Sequence, residues 1–247
     1  MRASPLQNRF MRKILGLSQL SIIVPTLNEE ATIAQTLGHL TVFRKQGAEV
    51  IVVDGGSFDA TVEKALGTAD LLLCAPRGRA SQMNAGAHMA RGALLLFLHA
   101  DSLLPQDADQ ALRSFLNAPE QIWGRFDVRI TGRHWLLAII ARMMNLRSRL
   151  TGIATGDQAI FVRKAAFDAI GGFPDIPLME DIELSRRLKR LSRPICLRQQ
   201  AATSGRRWEK HGIVRTILLM WRLRFDYWRG VDPKELARRY GYQPRPE

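Results

Sequence analysis

Glu49-Val50-Ile51-Val52-Val53-Asp54-Gly55-Gly56 is an aliphatic run with no polar alternation, stopped by a carboxylate and two glycines. A strand with one wet face alternates apolar and polar side chains. A run without alternation is covered on both faces, the condition of a parallel sheet held between helix layers. Leu94-Leu95-Leu96-Phe97-Leu98 repeats the pattern. Outward from these two runs, strand and helix segments alternate. Strands are expected at Ser21–Val24, Glu49–Val53, Asp70–Cys74 and Ala93–Leu98, with helices at about Asn28–Leu40, Asp59–Leu66 and Ala80–Arg91. Such alternation requires crossover connections and places the chain in the α/β class. The second half is less regular. Phe126–Ile130 and Ala159–Val162 read as strands, and Trp135–Leu146, Glu180–Leu191, Ile213–Trp228 and Pro233–Tyr240 as helices.

At 247 residues and 46% apolar content, with 19 Gly and 11 Pro, the composition excludes collagen-like, low-complexity and largely disordered chains. Cys74 and Cys196 stand alone, outside any zinc-type spacing, which argues against a disulfide scaffold and for a reducing compartment. No apolar run is long enough to span a bilayer. The N-terminus (Arg2, Arg9, Arg12 and Lys13 before Ile14–Val24) imitates a secretory signal but lacks a small-x-small cleavage site. It reads as a cytoplasmic start, with Met11 an alternative initiator.

In an open parallel sheet, ligands bind at the carboxyl ends of the strands. The four strand ends here read Pro25-Thr26-Leu27-Asn28-Glu29, Asp54-Gly55-Gly56-Ser57, Arg77-Gly78-Arg79 and His99-Ala100-Asp101. Each carries groups able to hold a nucleotide or its phosphates, and the coincidence of four is what points to nucleotide binding. Asp54 can accept from a base or ribose hydroxyl, or serve only as a turn residue with Asp59 capping the next helix. Arg77 and Arg79 flank a glycine before a helix, an arrangement that suits a diphosphate but is equally that of surface arginines. Asp101 offers one carboxylate to a hard cation such as Mg²⁺ or Mn²⁺, with substrate phosphates completing the shell, or else caps the helix expected near Pro105. Glu180, Asp181 and Glu183 crowd the start of a helix, where they complement its dipole or supply a general base for an acceptor hydroxyl.

Ser21-Ile22-Ile23-Val24-Pro25-Thr26-Leu27-Asn28-Glu29-Glu30, Val52-Val53-Asp54-Gly55-Gly56-Ser57-Phe58-Asp59-Ala60-Thr61, Phe97-Leu98-His99-Ala100-Asp101 and Met179-Glu180-Asp181-Ile182-Glu183-Leu184 occur in this order. Over about residues 20–210 the chain resembles family 2 glycosyltransferases of GT-A fold. It is most similar to a small bacterial subgroup encoded near radical-SAM enzymes and linked with arsenosugar biosynthesis. The resemblance implies a mostly parallel central sheet flanked by helices, with a Rossmann-like nucleotide-binding half, an acceptor half and a helical C-terminus. One catalytic domain is expected over 1–247, divided at about 18–105, 106–210 and 211–247. The implied activity is inverting transfer from a UDP- or GDP-sugar to a small-molecule or lipid-linked hydroxyl acceptor.

By the same resemblance Pro25, Thr26 and Glu29 line the nucleoside site and Asp54 binds the base. Arg79 lies near the diphosphate, and Arg207-Trp208 stands where an Arg-Trp pair is used beside it. His211 helps there or caps the following helix. Asp101 holds Mg²⁺ or Mn²⁺, and Asp181, with Glu180 beside it, is the catalytic base. Two positions depart from the family pattern: Asp54-Gly55 replaces Asp-Asp, and His99-Ala100-Asp101 replaces D-x-D, leaving one carboxylate where two are usual.

Charge is unevenly spread. Residues 1–185 balance at +1, whereas 186–247 carry 17 Lys/Arg against 5 Asp/Glu. Val214, Leu218, Trp221, Phe225 and Trp228 form one helical face, with Arg215, Arg222 and Arg229 beside it. That helix either lies at an anionic membrane surface or buttresses the catalytic domain with its arginines exposed. Two rival functions fit parts of this pattern. A sugar-phosphate nucleotidyltransferase would show a Gly-rich phosphate loop after the first strand, where Pro25–Glu30 has none. A nucleic-acid-binding protein would explain the basic region, but no helix-turn-helix, zinc or RNP-type signature is present and no nucleic acid is expected.

Overall fold

The computed structural model describes residues 17–242; the basic N-terminal segment and the choice between Met1 and Met11 lie outside them. Strands run at β1 Leu20–Thr26, β2 Glu49–Asp54, β3 Leu71–Cys74, β4 Leu94–Phe97, β5 Ser102–Leu103, β6 Trp123–Thr131, β7 Phe161–Arg163 and β8 Ile195–Ser204. Helices run at α1 Ile33–Lys45, α2 Thr61–Ala65, α3 Arg79–Met89, α4 Ala108–Leu116, α5 Leu136–Thr151, α6 Lys164–Ala169, α7 Glu180–Lys189, α8 Arg206–His211, α9 Ile213–Trp228 and α10 Pro233–Arg239.

β1 is buried at all seven positions, as an apolar run at the centre of a covered sheet must be. It pairs in parallel with β2 from Ser21↔Glu49 to Thr26↔Asp54 and with β4 from Leu20↔Leu94 to Ile23↔Phe97. β3 extends the sheet beyond β2, so the first four strands are parallel and their carboxyl ends share one edge. β7 runs antiparallel between β4 and β6, and β8 lies parallel to β6, giving the order β3-β2-β1-β4-β7-β6-β8-β5. The sheet is mostly parallel and flanked by helices, as the sequence implies.

Alternate side chains of each strand enter separate cores. Ile22, Val24, Val50 and Val52 meet Ile33, Leu37, Leu40 and Phe43 of α1 on one face. Ile23, Ile51, Val53 and Leu95 meet Ala80, Met83 and Ala87 of α3 on the other. α3 approaches closely because Gly86 has no side chain; a Cβ there would stand 2.6 Å from Ile23 Cγ2.

Three differences from the sequence reading bear on function. Residues 28–32 are a turn, and the first helix begins only at Ile33. Asn28 takes a left-handed φ of 54°, its N–H donates to Ser57 Oγ at 2.9 Å, and Glu29 N–H donates to Thr61 Oγ1 at 2.8 Å. The loop after β1 is thus tied to the loop after β2 instead of winding into a helix. β8 is a further strand, unmarked by apolar alternation. Finally, α9 buries Ile213, Thr216 and Leu223, while Val214, Leu218, Trp221, Phe225 and Trp228 face solvent. The apolar stripe is not the surface that packs on the body.

Candidate active site

A cleft of about 430 Å³ opens over the carboxyl ends of β1 and β4. Pro25, Thr26 and Glu29 line it from the loop after β1, Arg77 and Arg79 from the approach to α3, and Asp101 from the loop after β4. Glu180 enters from the start of α7, and Arg207 and Trp208 from α8. Two residues named from the sequence stand just behind this wall. Asp54 is 3% exposed beneath Thr26, whose hydroxyl donates to it at 3.4 Å. One Asp54 oxygen accepts from Gly56 N–H at 2.8 Å and Ser57 N–H at 2.9 Å, and the other accepts from Ser57 Oγ at 2.5 Å. The turn role is therefore realised. Asp181 accepts from Gly156 N–H at 2.9 Å and from Ile182 N–H at 2.7 Å. Those donors fix its carboxylate next to Asp157, which lines the cleft.

Both departures from the family pattern sit in crowded surroundings. A Cβ on Gly55 would stand 3.0 Å from the Gln82 side chain. Gln82 is held there because its Nε2 donates to Thr26 O at 2.7 Å and Val53 O at 2.8 Å. Gln82 therefore joins the two strand ends, and any side chain at position 55 would crowd it. His99 packs against the backbone of Gly156, where an added Cβ would fall on its ring. His99 Nδ1 lies 3.4 Å from Asp157 Oδ1, so an acidic residue is present beside position 99 but comes from a different loop.

Arg206, which sequence reasoning did not single out, bridges the two loops that carry acidic residues. Its Nη2 is 3.1 Å from Glu29 Oε2 and 3.9 Å from Asp101 Oδ2. The C-terminal residues Tyr240, Gly241 and Tyr242 also line the cleft. Arg207 donates to Tyr240 O at 2.7 Å and lies 3.6 Å over the Tyr240 ring, while Arg77 sits 5.3 Å over the ring of Tyr242. His211 is exposed at the end of α8, and Gly212 separates it from the start of α9.

The electrostatics are sharply graded. Burial, reinforced by Asp181, pushes the Glu180 carboxyl up to about 7, against the pull of Arg79. Burial works against the charge of Arg79, but Glu180 above all, with Tyr240, Asp157 and Asp101, raises its pKa. Arg79 therefore stays cationic. Asp157 is held below the usual carboxylate range: burial opposes this, and the hydrogen bond and charge of His99, then Arg79, outweigh it. Asp101 is the only family-implied metal carboxylate retained, and it is 24% exposed. Among the described residues no three His, Cys, Asp or Glu side chains group around a metal position. A single carboxylate still fits a hard cation that draws its remaining ligands from phosphate and water.

A family model described as glycosyl transferase family 2 matches residues 21–168. A PGL/p-HBAD biosynthesis glycosyltransferase of Mycobacterium bovis is 30% identical over 164 residues, covering 62% of each chain. The chain thus spans under two thirds of the length of that relative. A dolichyl-phosphate beta-glucosyltransferase of Drosophila melanogaster is 38% identical over 100 residues, 34% of this chain and 31% of its own. Among solved structures, S. aureus TarS in complex with UDP-GlcNAc superposes with a TM-score of 0.61 at 22% identity, covering 75% of this chain and 58% of TarS. The mannosyltransferase PcManGT of Pyrobaculum calidifontis, in complex with GDP-Man and Mn²⁺, gives 0.56 at 20% identity, covering 80% and 64%. At these identities the likeness establishes the shared GT-A architecture.

Proposed function

The chain belongs to glycosyl transferase family 2, and from that premise we propose that it transfers a sugar from a UDP- or GDP-sugar to a hydroxyl acceptor with inversion. The observation that carries this reading is the convergence of Arg77, Arg79, Arg207 and Asp101 on the cleft to which Thr26 and Glu29 also contribute. The complexes of TarS with UDP-GlcNAc and of PcManGT with GDP-Man and Mn²⁺ support it. Placement in the subgroup linked with arsenosugar biosynthesis rests on the sequence resemblance, and the acceptor is proposed as either a small molecule or lipid-linked.

The leaving diphosphate gathers negative charge as the anomeric C–O bond breaks. Arg79 and Arg207 are placed to stabilise that charge with preorganised donors, the largest usual contribution to such a step. Mg²⁺ or Mn²⁺ bound at Asp101 would supply Lewis-acid neutralisation of the same oxygens. Asp181, its carboxylate oriented by two backbone N–H donors, accepts the proton of the acceptor hydroxyl as that oxygen attacks the anomeric carbon. The new C–O bond forms on the face opposite the leaving group, hence inversion.

One observation favours a second assignment of the base. Glu180, not Asp181, lines the cleft, and its pKa near neutrality suits proton transfer. The reading as a whole is tested by screening nucleotide sugars for hydrolysis with and without Mn²⁺ or Mg²⁺. Turnover of a UDP- or GDP-sugar is expected; binding of neither nucleotide would overturn it.

A further inference from the structure

Arg147 on α5 and Arg224 on α9 carry charges that no direct partner neutralises. Arg147 Nε and Nη2 are buried without a hydrogen-bond partner. Among the described residues neither guanidinium belongs to an ion pair. Burial first, then repulsion from Arg224, brings Arg147 down to about 10, against the attraction of Asp181. Burial likewise lowers Arg224, opposed by Asp181 and Asp157. Two half-buried guanidinium groups, Arg147 repelled by Arg224 and both attracted by Asp181, thus share the field of the candidate base. A buried donor without a partner is destabilising, and a phosphate, with several acceptor oxygens and a matching charge, satisfies planar N–H forks best.

We propose that Arg147 and Arg224 form an acceptor subsite for a phosphate group, so that the hydroxyl glycosylated beside Asp181 belongs to a phosphate-bearing acceptor. This rests on the transferase reading above. The test titrates inorganic phosphate into protein saturated with UDP or GDP, which removes the donor cleft from competition. Arg147→Gln and Arg224→Gln are each expected to weaken phosphate by at least about tenfold, a loss of about 1.4 kcal/mol, with UDP or GDP affinity preserved. Arg147→Gln should also raise the thermal midpoint without phosphate, because it removes a buried unpaired charge. Unchanged phosphate affinity in both variants would overturn the subsite, as would a lowered midpoint with unchanged affinity. Failure of both nucleotides to bind would instead count against the transferase reading. Displacement of phosphate by glycerol 3-phosphate identifies a soluble acceptor; displacement by phosphatidylglycerol vesicles identifies a lipid headgroup.

The outer surface of the same two helices carries a second, independent proposal. Trp135 at the α5 N-cap and Ile139, Met143, Leu146 and Leu150 along α5 form a second exposed apolar stripe at helical periodicity, each at least 39% exposed. Leu137, Ile140 and Met144 of α5 share an apolar cluster with Ile213 and Ile217 of α9. Met143 lies one turn from Arg147, and Trp221 one turn from Ile217 and Arg224, so each stripe adjoins the row that meets the other helix. Exposed Arg133, Arg142, Arg215, Arg222 and Arg229 border this surface. α5 contains no acidic residue, and Asp226, the one acid of α9, is engaged by Arg239 at 3.0 Å.

We infer that the paired stripes rest on an anionic bilayer: exposed tryptophans and aliphatics fit the interface, and the arginine border fits its charge. The test is co-sedimentation with phosphatidylcholine vesicles with and without phosphatidylglycerol, at low and high salt. Pelleting with the anionic vesicles at low salt, lost in Leu218→Glu with Met143→Glu at unchanged thermal midpoint, is expected. Absence of pelleting, or a dimer by light scattering that the same double variant dissociates, would overturn it.

Discussion

His99 Nδ1 stands 3.4 Å from Asp157 Oδ1 while the backbone of the adjoining Gly156 lies against the His99 ring. Gly156 N–H also donates to Asp181, so one short loop couples the end of β4 to the candidate base. Gly156→Ala forces this loop off the ring. Overpacking of this kind typically costs about 1–3 kcal/mol. Thermal denaturation should register that loss, and kcat should fall more than donor affinity, because the base moves while the loop after β1 does not. Equal loss in both kinetic and binding terms would place the loop in the donor site instead.

Asp181→Asn and Glu180→Gln separate the two assignments of the base. With Asp181 as base, its asparagine variant should lose at least about 10²-fold in kcat with nucleotide binding retained. Glu180→Gln should leave turnover within a few-fold and remove any pH dependence arising near neutrality. A reversal of these outcomes, read from kcat against pH, makes Glu180 the base.

Glu180 also makes stability depend on pH. Its folded pKa, up to about 7, exceeds the unfolded value of 4.5, so the folded chain binds more protons between those limits. Stability contributed by this group therefore falls as pH rises from about 4.5 to about 7 and changes no further outside that window. Glu180→Gln removes the penalty. Its thermal midpoint, compared with the parent, should gain across the window by the equivalent of about 1–3 kcal/mol. A constant difference between the two proteins from pH 4.5 to 7 would contradict the assigned shift.

Much of this architecture was legible in the sequence for a physical reason. β1, β2 and β4 are covered on both faces, so their composition is uniformly aliphatic and cannot be mistaken for a wet strand. β8 escaped because it is only partly covered: Ile195–Ser204 includes Arg198, Gln199 and Gln200, and its pairing with β6 shifts register between Phe126 and Asp127. Arg125 was equally hidden. It is fully buried, paired with Asp127 and donating to Ser148 Oγ at 3.1 Å, an arrangement only the fold can supply. In the cleft, residues that follow recognised strands were found from sequence. Gln82, Asp157 and Tyr240–Tyr242 were not, since they come from helix or loop positions that follow no strand, and Arg206 was missed because β8, which it follows, was itself unmarked.

Gly55 illustrates how a missing carboxylate can be structural. Gly55→Asp, which restores the usual family pair, should destabilise by about 1–3 kcal/mol through the clash with Gln82. Gln82→Ala should itself cost about 1–3 kcal/mol because Thr26 O and Val53 O lose their buried donor. The double variant should be less destabilised than the sum of the two, measured by denaturant unfolding. Strict additivity would show that Gln82 does not govern position 55.

The most direct test of the cleft as a donor site is calorimetric titration of UDP and GDP, with Mn²⁺ present, into the parent protein and Asp101→Ala. One nucleotide should bind the parent and lose about tenfold or more in affinity in the variant, a difference of about 1.4 kcal/mol. Equal affinity in both proteins, or no heat from either nucleotide, would contradict it.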